Sequence, residues 1–179
     1  MFEKLIDNKK LGGINCIVWK DGQVIYQESH GYKNLETHEL MTIDTIFRIA
    51  SMTKPITSVL TMMLYEEKKL DLNDPITKWF PQFRNMKVFK NQRKEYEDAN
   101  RLITILDLLT HRAGFTYSGF QNGKIKDDYI SVLGGDIDSH ATNEQWINGL
   151  ASLPLANQPG ELFNYGRSTD LLGILISTI

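Results

Sequence analysis

The sequence predicts an α+β fold that combines one β-hairpin near the N-terminus with several amphipathic helices. Two runs rich in β-branched and aromatic residues flank an Asp-Gly pair, and farther along the chain apolar residues recur at spacings of three and four. The first pattern is typical of a hairpin, and the second is typical of helices that pack on a core. The content of 41% hydrophobic and 23% charged residues among 179 is that of an ordinary globular domain.

The hairpin is predicted over residues 14–20 and 23–30. Asp21 and Gly22 join the two runs, and this pair readily adopts the positive φ angles of a tight type I′ turn. Gly31 is expected to end the hairpin.

The clearest helix is predicted to begin at Ser51. Ser51 suits a cap or first-turn position, and Pro55 fits the first turn because amides there have no partner within the helix. A wide apolar face at helical spacing predicts that the helix is buried. The members of this face are Met52, Ile56, Val59, Leu60, Met63 and Leu64.

The middle of the chain carries weaker signals. Residues 76–101 predict short helical or irregular pieces, and the mixed charges of residues 90–101 predict a solvated surface loop. Thr104 and Asp107 have the spacing of a helix cap and its N3 partner, so a helix is expected to start there.

Two more helices are predicted in the last third of the chain. Thr142 and Gln145 have capping-box spacing before a helix that reaches about Ser152. A last helix begins near Ser168 and runs to Ile179 without a stop signal. Because one isolated hairpin is marginally stable in water, two arrangements remain open: further strands lie beyond residue 179, or helices alone cover the hairpin.

Charge and composition exclude several function classes. The net charge of −2 offers no basic surplus for nucleic acid or anionic lipid, and no apolar run approaches the ~20 residues of a membrane span. Cys16 has no partner for a disulfide and is expected to be a small core residue. The four histidines are scattered, so no metal site is predicted. The polar N-terminus predicts a cytoplasmic protein, or a periplasmic or secreted one if a leader is missing.

One short motif has the chemistry of a nucleophile. Ser51 and Lys54 form S-x-x-K at the start of the predicted helix, where residues i and i+3 share one face. A lysine can take a serine proton only if its pKa is lowered, and apolar surroundings are expected to do this. The Ser51 amide is also a candidate oxyanion donor. An N-cap serine followed by an ordinary lysine remains the alternative, because S-x-x-K is short.

A second candidate is Tyr165, which follows the Pro159-Gly160 bend and precedes the last helix. A tyrosine there could pass protons if a nearby cation stabilised its phenolate. A half-buried aromatic whose hydroxyl binds a backbone carbonyl is the alternative.

Four ordered segments together resemble the serine β-lactamase-related family, in its class C β-lactamase, DD-peptidase and family VIII carboxylesterase branch. Residues 47–54 resemble the nucleophile segment, and residues 70–75 resemble "LxLDDP". Residues 108–114 resemble "LLTHTSG", and residues 163–173 resemble the tyrosine segment "F-x-Y-S…D-x-L-G".

This resemblance implies a role for each candidate. Ser51 would be the acylated nucleophile, Lys54 its activating base, and Tyr165 a proton carrier for the leaving group and the deacylating water. The implied substrate is a small ester or amide, with no metal or organic cofactor. The implied β-lactamase/transpeptidase-like fold is an antiparallel sheet flanked by helices, with a largely helical subdomain.

Three departures from the family pattern refine this expectation. Arg167 stands where class C β-lactamases have the Asn of Y-x-N, and Gly166 stands where esterases usually have Ser. The K-T-G or H-x-G motif of a C-terminal strand is absent. Residues 1–179 are therefore expected to be one hydrolase domain that lacks its C-terminal strands, with weak or no activity alone.

The resemblance leaves three functions open. A carboxylesterase-like hydrolase is the first choice, because the Asn of Y-x-N is often absent from that branch. A β-lactamase or D-amino-acid peptidase is the enzymatic alternative. A catalytically silent, penicillin-binding-like member of the fold is the third.

Overall fold

The computed structural model describes residues 2–91, 95–136 and 139–179. These residues form two compact units, Met1–Ala50 and Ser51–Ile179. Mixed helices and small antiparallel sheets confirm the predicted α+β class. In chain order the elements are α1 (Phe2–Asp7), β1 (Gly13–Lys20), β2 (Gln23–Asn34), β3 (Glu39–Leu40), α2 (Thr53–Glu66), β4 (Lys87–Asn91), β5 (Glu95–Asp98), α3 (Ile105–Leu109), α4 (Lys124–Leu133), α5 (Asn143–Ser152) and α6 (Ser168–Ile176).

The first unit is an antiparallel sheet in the order β1-β2-β3, accompanied by α1. The predicted hairpin is confirmed, since Lys20 pairs with Gln23 and both turn residues, Asp21 and Gly22, have positive φ. Gly31 ends the hairpin as predicted, because the last pair between β1 and β2 joins Gly13 and Gly31. Gly31 pairs with Gly13 at a φ of 75°, and β2 continues past it.

No described residue of the first unit is fully buried. Cys16, expected in the core, is only half-buried and free. The three strands therefore present a sheet whose apolar side chains, such as Trp19 and Ile25, remain exposed.

The second unit holds a continuous apolar core that runs from Leu70 to Leu175. Its fully buried large side chains are Tyr129, Phe83, Phe115, Ile76, Ile103, Ile105, Leu108, Leu150, Leu155, Leu171, Leu172 and Leu175. Both predicted capping boxes are present. Thr104 caps α3 with Asp107, and Thr142 caps α5 with Gln145. The cap of α3 is reinforced by Arg101, which donates to both carboxylate oxygens of Asp107 at 2.6 and 2.9 Å.

In the expected surface loop over residues 90–101, the predicted exposure is confirmed for β5, but β4 and β5 pair there as a second hairpin. Residues 92–94 lie outside the described residues. The sequence does not predict this hairpin, because both faces of β5 are exposed and the alternation of apolar and polar residues typical of a strand is missing. A parallel bridge from Val88 to Leu155 ties it to the core.

The helix α2 forms where it was predicted, with Pro55 in its first turn, but its predicted burial is wrong. Thr61 is its buried residue, while Met52 is 70% and Val59 is 59% exposed. Within its unit α2 packs against α6, so one side of α2 is in contact with another helix. The last helix also ends earlier than expected, at Ile176 rather than Ile179.

Among the described residues, no helix is both long and apolar enough to cross a membrane. In the same part of the chain, no three His, Cys, Asp or Glu side chains gather as a metal site would require.

Candidate active site

Ser51 lies in a short 3-10 turn, Ala50–Met52, immediately before α2. Its hydroxyl does not cap the helix: the N-cap residue is Met52, and that helix start has no side-chain cap. The preceding residue, Ala50, has a φ of 43°, which L-residues seldom adopt. The side chain of Ser51 is exposed, so its oxygen is accessible to a small molecule.

Tyr165 and Ser51 are brought together from 114 positions apart in the chain. The Tyr165 hydroxyl donates a hydrogen bond of 2.9 Å to Ser51 Oγ. The expected alternative for Tyr165, a hydroxyl held by a backbone carbonyl, is therefore not what the structure has. A tyrosine in this position can carry a proton to or from Ser51.

Lys54 makes its hydrogen bond to a residue that the sequence did not suggest. Its Nζ donates to Tyr117 Oη at 3.1 Å, and Tyr117 in turn donates to Asp170 Oδ2 at 3.0 Å. The ammonium also lies 5.0 Å from the centre of the Tyr165 ring. Lys54 therefore sits between two tyrosines, with a carboxylate one hydrogen bond away.

The pKa of Lys54 is raised, contrary to the expected lowering. Partial burial lowers this pKa, but the hydrogen bond from Lys54 to Tyr117 and the negative charge of Asp170 raise it by more. The Tyr117 pKa is raised as well, by burial and by Asp170, which keeps Tyr117 a neutral hydroxyl. At neutral pH Lys54 is therefore an ammonium in the resting site.

Arg167 anchors the far side of this cluster. Its buried guanidinium lies 4.8 Å from the centre of the Tyr117 ring and 3.7 Å from Asp170. It also donates to the carbonyl oxygens of Gly135 and Asp136. The residue that replaces the family Asn is thus a buried cation whose terminal nitrogens donate to Gly135 and Asp136.

The tyrosine segment is clamped against the loop that follows α3. The carbonyl of His111 accepts the Asn164 amide at 2.7 Å, and the His111 ring lies 4.8 Å from the Tyr165 ring. Burial and the charge of Lys54 lower the pKa of His111, so His111 is neutral at pH 7. These contacts fix the position of Tyr165.

The glycine at position 166 is explained by how closely its backbone approaches the backbone of Phe115 and Thr116. A Cβ on residue 166 would lie 2.6 Å from the carbonyl oxygen of Phe115 and closer still to the Cα of Thr116. Side-chain Cβ atoms in proteins essentially never lie within 3.0 Å of such backbone atoms. The serine usual in esterases therefore has no room in this chain.

Sequence reasoning missed Tyr117, Asp170 and Arg167 as members of the cluster. Tyr117 and Lys54 are 63 positions apart, and Tyr117 and Asp170 are 53 apart, so no local period connects them. Their positions in the sequence are the signal that could have indicated them. Tyr117 closely follows the 108–114 segment, and Asp170 lies within the tyrosine segment.

A family model described as Beta-lactamase matches residues 1–179. The chain belongs to the Beta-lactamase family. This confirms the resemblance drawn from the four sequence segments, and with it the β-lactamase/transpeptidase-like fold.

The relatives of this chain include proteins of known and of unknown activity. The chain is 35% identical over 179 residues to protein Rv1367c of Mycobacterium tuberculosis and 30% identical over 177 residues to esterase EstB of Burkholderia gladioli. The solved structure of EstCE1, a hydrolase with promiscuous acyltransferase activity, superposes with a TM-score of 0.82 at 28% identity.

The three matches cover 98% of this chain but less than half of each relative. The covered share is 43% for Rv1367c and EstB and 45% for EstCE1. Residues 1–179 thus correspond to under half the length of these relatives.

Proposed function

We propose that this chain carries the nucleophile, the proton carrier and the base of a serine hydrolase that cleaves a small ester through an acyl-enzyme. The observation that carries the proposal is the 2.9 Å hydrogen bond from Tyr165 Oη to Ser51 Oγ, with Lys54 beside the same tyrosine. A serine needs a base within hydrogen-bond reach, directly or through one carrier. Tyr165 is hydrogen-bonded to Ser51, and the Lys54 ammonium lies over the Tyr165 ring.

In the acylation step, Ser51 Oγ attacks the substrate carbonyl carbon. Its proton passes to Tyr165, whose own proton passes to the neutral form of Lys54. The bond from the carbonyl carbon to the leaving oxygen then breaks. That oxygen takes a proton from Tyr165, which Lys54 replaces, so the alcohol leaves and Lys54 is neutral again.

Deacylation repeats the same proton path with water. A water molecule attacks the acyl carbon while Tyr165 and Lys54 take its proton. The bond from the acyl carbon to Ser51 Oγ breaks, and Oγ regains a proton from Tyr165. The products are the carboxylic acid and the free enzyme.

Two observations favour an ester over a β-lactam as substrate. Arg167 replaces the Asn that class C β-lactamases carry, and its guanidinium donates to the backbone and the carboxylate of Asp136. Among the relatives, EstB is named as an esterase. An amide or β-lactam remains the alternative that the experiment below separates.

The experiment is covalent labelling of the full 179-residue chain with a fluorophosphonate and, in parallel, with a penicillin. Intact-mass analysis is expected to find one fluorophosphonate adduct, formed as Ser51 Oγ displaces fluoride, and none on Ser51→Ala. Ser58→Ala, which removes a half-buried serine from the same helix, is the matched control and should label like the parent chain.

The penicillin arm assigns the acyl donor. We expect little or no penicillin adduct, whereas a stoichiometric Ser51-dependent penicillin adduct would replace the esterase proposal by the penicillin-binding alternative. No fluorophosphonate adduct on a chain with a helical circular-dichroism spectrum would overturn the hydrolase proposal itself.

A further inference from the structure

We infer that Phe120 forms the wall against which the leaving alcohol of the substrate packs, and that this alcohol is an uncharged aryl or similarly apolar group. The inference rests on the proposed function, because it takes Tyr165 as the residue that returns a proton to the leaving oxygen. The leaving group must then lie beside Tyr165, and the side chains around that tyrosine select it.

Phe120 is an exposed aromatic residue next to the Tyr165 ring. Its side chain is 65% exposed, and its ring centre lies 6.0 Å from that of Tyr165 with an interplanar angle of 72°. It lies 6.3 Å from the Tyr117 ring. An aryl group placed at Tyr165 could therefore meet Phe120 at the 4.5–7 Å separations typical of aromatic pairs.

The turn that carries Phe120 is held in place by polar contacts. Asp136 accepts hydrogen bonds from the Ser118 amide at 2.9 Å, the Gly119 amide at 2.8 Å and the Ser118 hydroxyl at 2.7 Å. Arg167 Nη2 donates to Asp136 Oδ1 at 3.3 Å, the oxygen that also accepts the Ser118 amide. The ring is thus presented to solvent by a fixed turn, and such a preorganised apolar surface loses little entropy when a ligand packs on it.

The charges of the site are engaged away from Phe120. Among the described residues, the cation–ring contacts at this site are those of Lys54 and Arg167, and they fall on Tyr117 and Tyr165. An anionic alcohol would meet the negative face of the Phe120 ring without a partner, which is unfavourable. The wall therefore favours an uncharged apolar alcohol.

The test compares two acetate esters that deliver the same acyl group. Phenyl acetate and 2,2,2-trifluoroethyl acetate are reacted with the full chain, and the rate of Ser51 acetylation is followed by intact mass after acid quench. In Phe120→Ala the ratio of the phenyl to the trifluoroethyl rate constant is expected to fall about 3- to 10-fold, the worth of an aromatic pair. Phe120→Leu, which keeps apolar bulk, should restore part of the ratio.

Phe163→Ala is the matched control. Phe163 is equally exposed at 67%, but its ring contacts His111 rather than Tyr165, so its removal should leave the ratio unchanged. An unchanged ratio in Phe120→Ala, with Ser51 still acetylated, overturns this inference and leaves the hydrolase proposal standing. If neither ester acetylates Ser51 and the fluorophosphonate also fails, the hydrolase proposal falls and this inference falls with it.

Discussion

At the residue scale, the site depends on a hydrogen-bond chain that begins at Lys54 and ends at Asp170. Ser51 and Lys54 share the start of α2, yet Lys54 donates to Tyr117 and Tyr165 donates to Ser51. This arrangement raises the pKa of Lys54. If neutral Lys54 is the base, the rate of Ser51 labelling should rise with pH toward the alkaline range.

Replacing Tyr117 by phenylalanine should move that rise to lower pH. The substitution removes the hydrogen bond to Tyr117 that raises the Lys54 pKa, so the neutral base becomes available at lower pH. The measurement is the fluorophosphonate labelling rate as a function of pH. Tyr129→Phe, which removes a buried hydroxyl bonded to the carbonyl of Pro154, is the control and should leave the profile in place. A Tyr117→Phe profile that keeps its position would contradict the role of Lys54 as the base.

Lys54→Arg separates a base from a fixed positive charge. Arginine stays protonated at every usable pH, so it can supply charge but cannot accept the Ser51 proton. We expect labelling to fall about 10²- to 10⁴-fold, the typical contribution of general base catalysis. Near-normal labelling of Lys54→Arg would mean that Lys54 acts through its charge alone.

Site residues could be predicted from the sequence where a local motif marks them, and could not where only a long-range contact does. Ser51 and Lys54 were found because S-x-x-K lies at the start of a periodic helix. Tyr165 was found because it follows a bend and lies in a segment that resembles the family. Tyr117 could not be found this way, since its contact with Lys54 spans 63 positions. The rise in the Lys54 pKa depends on that same long-range contact, so no local pattern could give its sign.

At the scale of elements, the loop after α3 and the segment before α6 act as a pair. The amide of Asn164 binds the carbonyl of His111, and Gly166 lies directly against Thr116. These backbone contacts fix the position of Tyr165, although both segments are irregular rather than helical or extended. Glycine at position 166 is what allows the backbones to approach so closely.

Two glycine substitutions test this pairing. Gly166→Ala should destabilise the chain by about 1–3 kcal/mol, the usual cost of overpacking. Gly173→Ala is the matched control, because residue 173 lies in α6 with nothing nearer than 4.0 Å to its added Cβ. It should be neutral or stabilise the chain by about 0.5–1 kcal/mol. Thermal unfolding followed by circular dichroism gives both values, and equal effects would contradict the close approach.

Elements with a local chemical signature could be predicted from the sequence. The Asp21-Gly22 turn and the two capping boxes placed the first hairpin, α3 and α5, because these devices act within a few residues. The hairpin β4-β5 was missed because its exposed faces lack apolar alternation. The exposure of α2 could not be predicted, since periodicity identifies an apolar face without saying what covers it.

At the scale of the whole molecule, we propose that the apolar face of α2 is free in the 179-residue chain. The relatives are more than twice as long as the matched region, and α2 leaves Ile56, Val59 and Met63 exposed. Monomeric soluble proteins rarely expose contiguous apolar patches larger than a few hundred Å².

The double variant Ile56→Gln/Val59→Gln tests whether this face is free in the 179-residue chain. Both side chains are more than half exposed, so each change should alter stability by no more than about 0.5 kcal/mol. Binding of a dye that fluoresces on apolar surface should decrease at the same time. Leu172→Ala in the core is the control and should cost about 2–5 kcal/mol. A large loss of stability in the double variant would mean that this face is already covered.

The most direct measurement of the central claim is the site of acylation during turnover. The chain is mixed with 4-nitrophenyl acetate, and the reaction is quenched in acid while turnover continues. The protein is then digested, and the acetylated residue is identified by tandem mass spectrometry. We expect one acetyl group, on Ser51, which is absent from Ser51→Ala and accumulates more slowly in Tyr165→Phe. An acetyl group on Lys54 or Tyr165 instead, or none on a folded chain, would contradict an acyl-enzyme at Ser51.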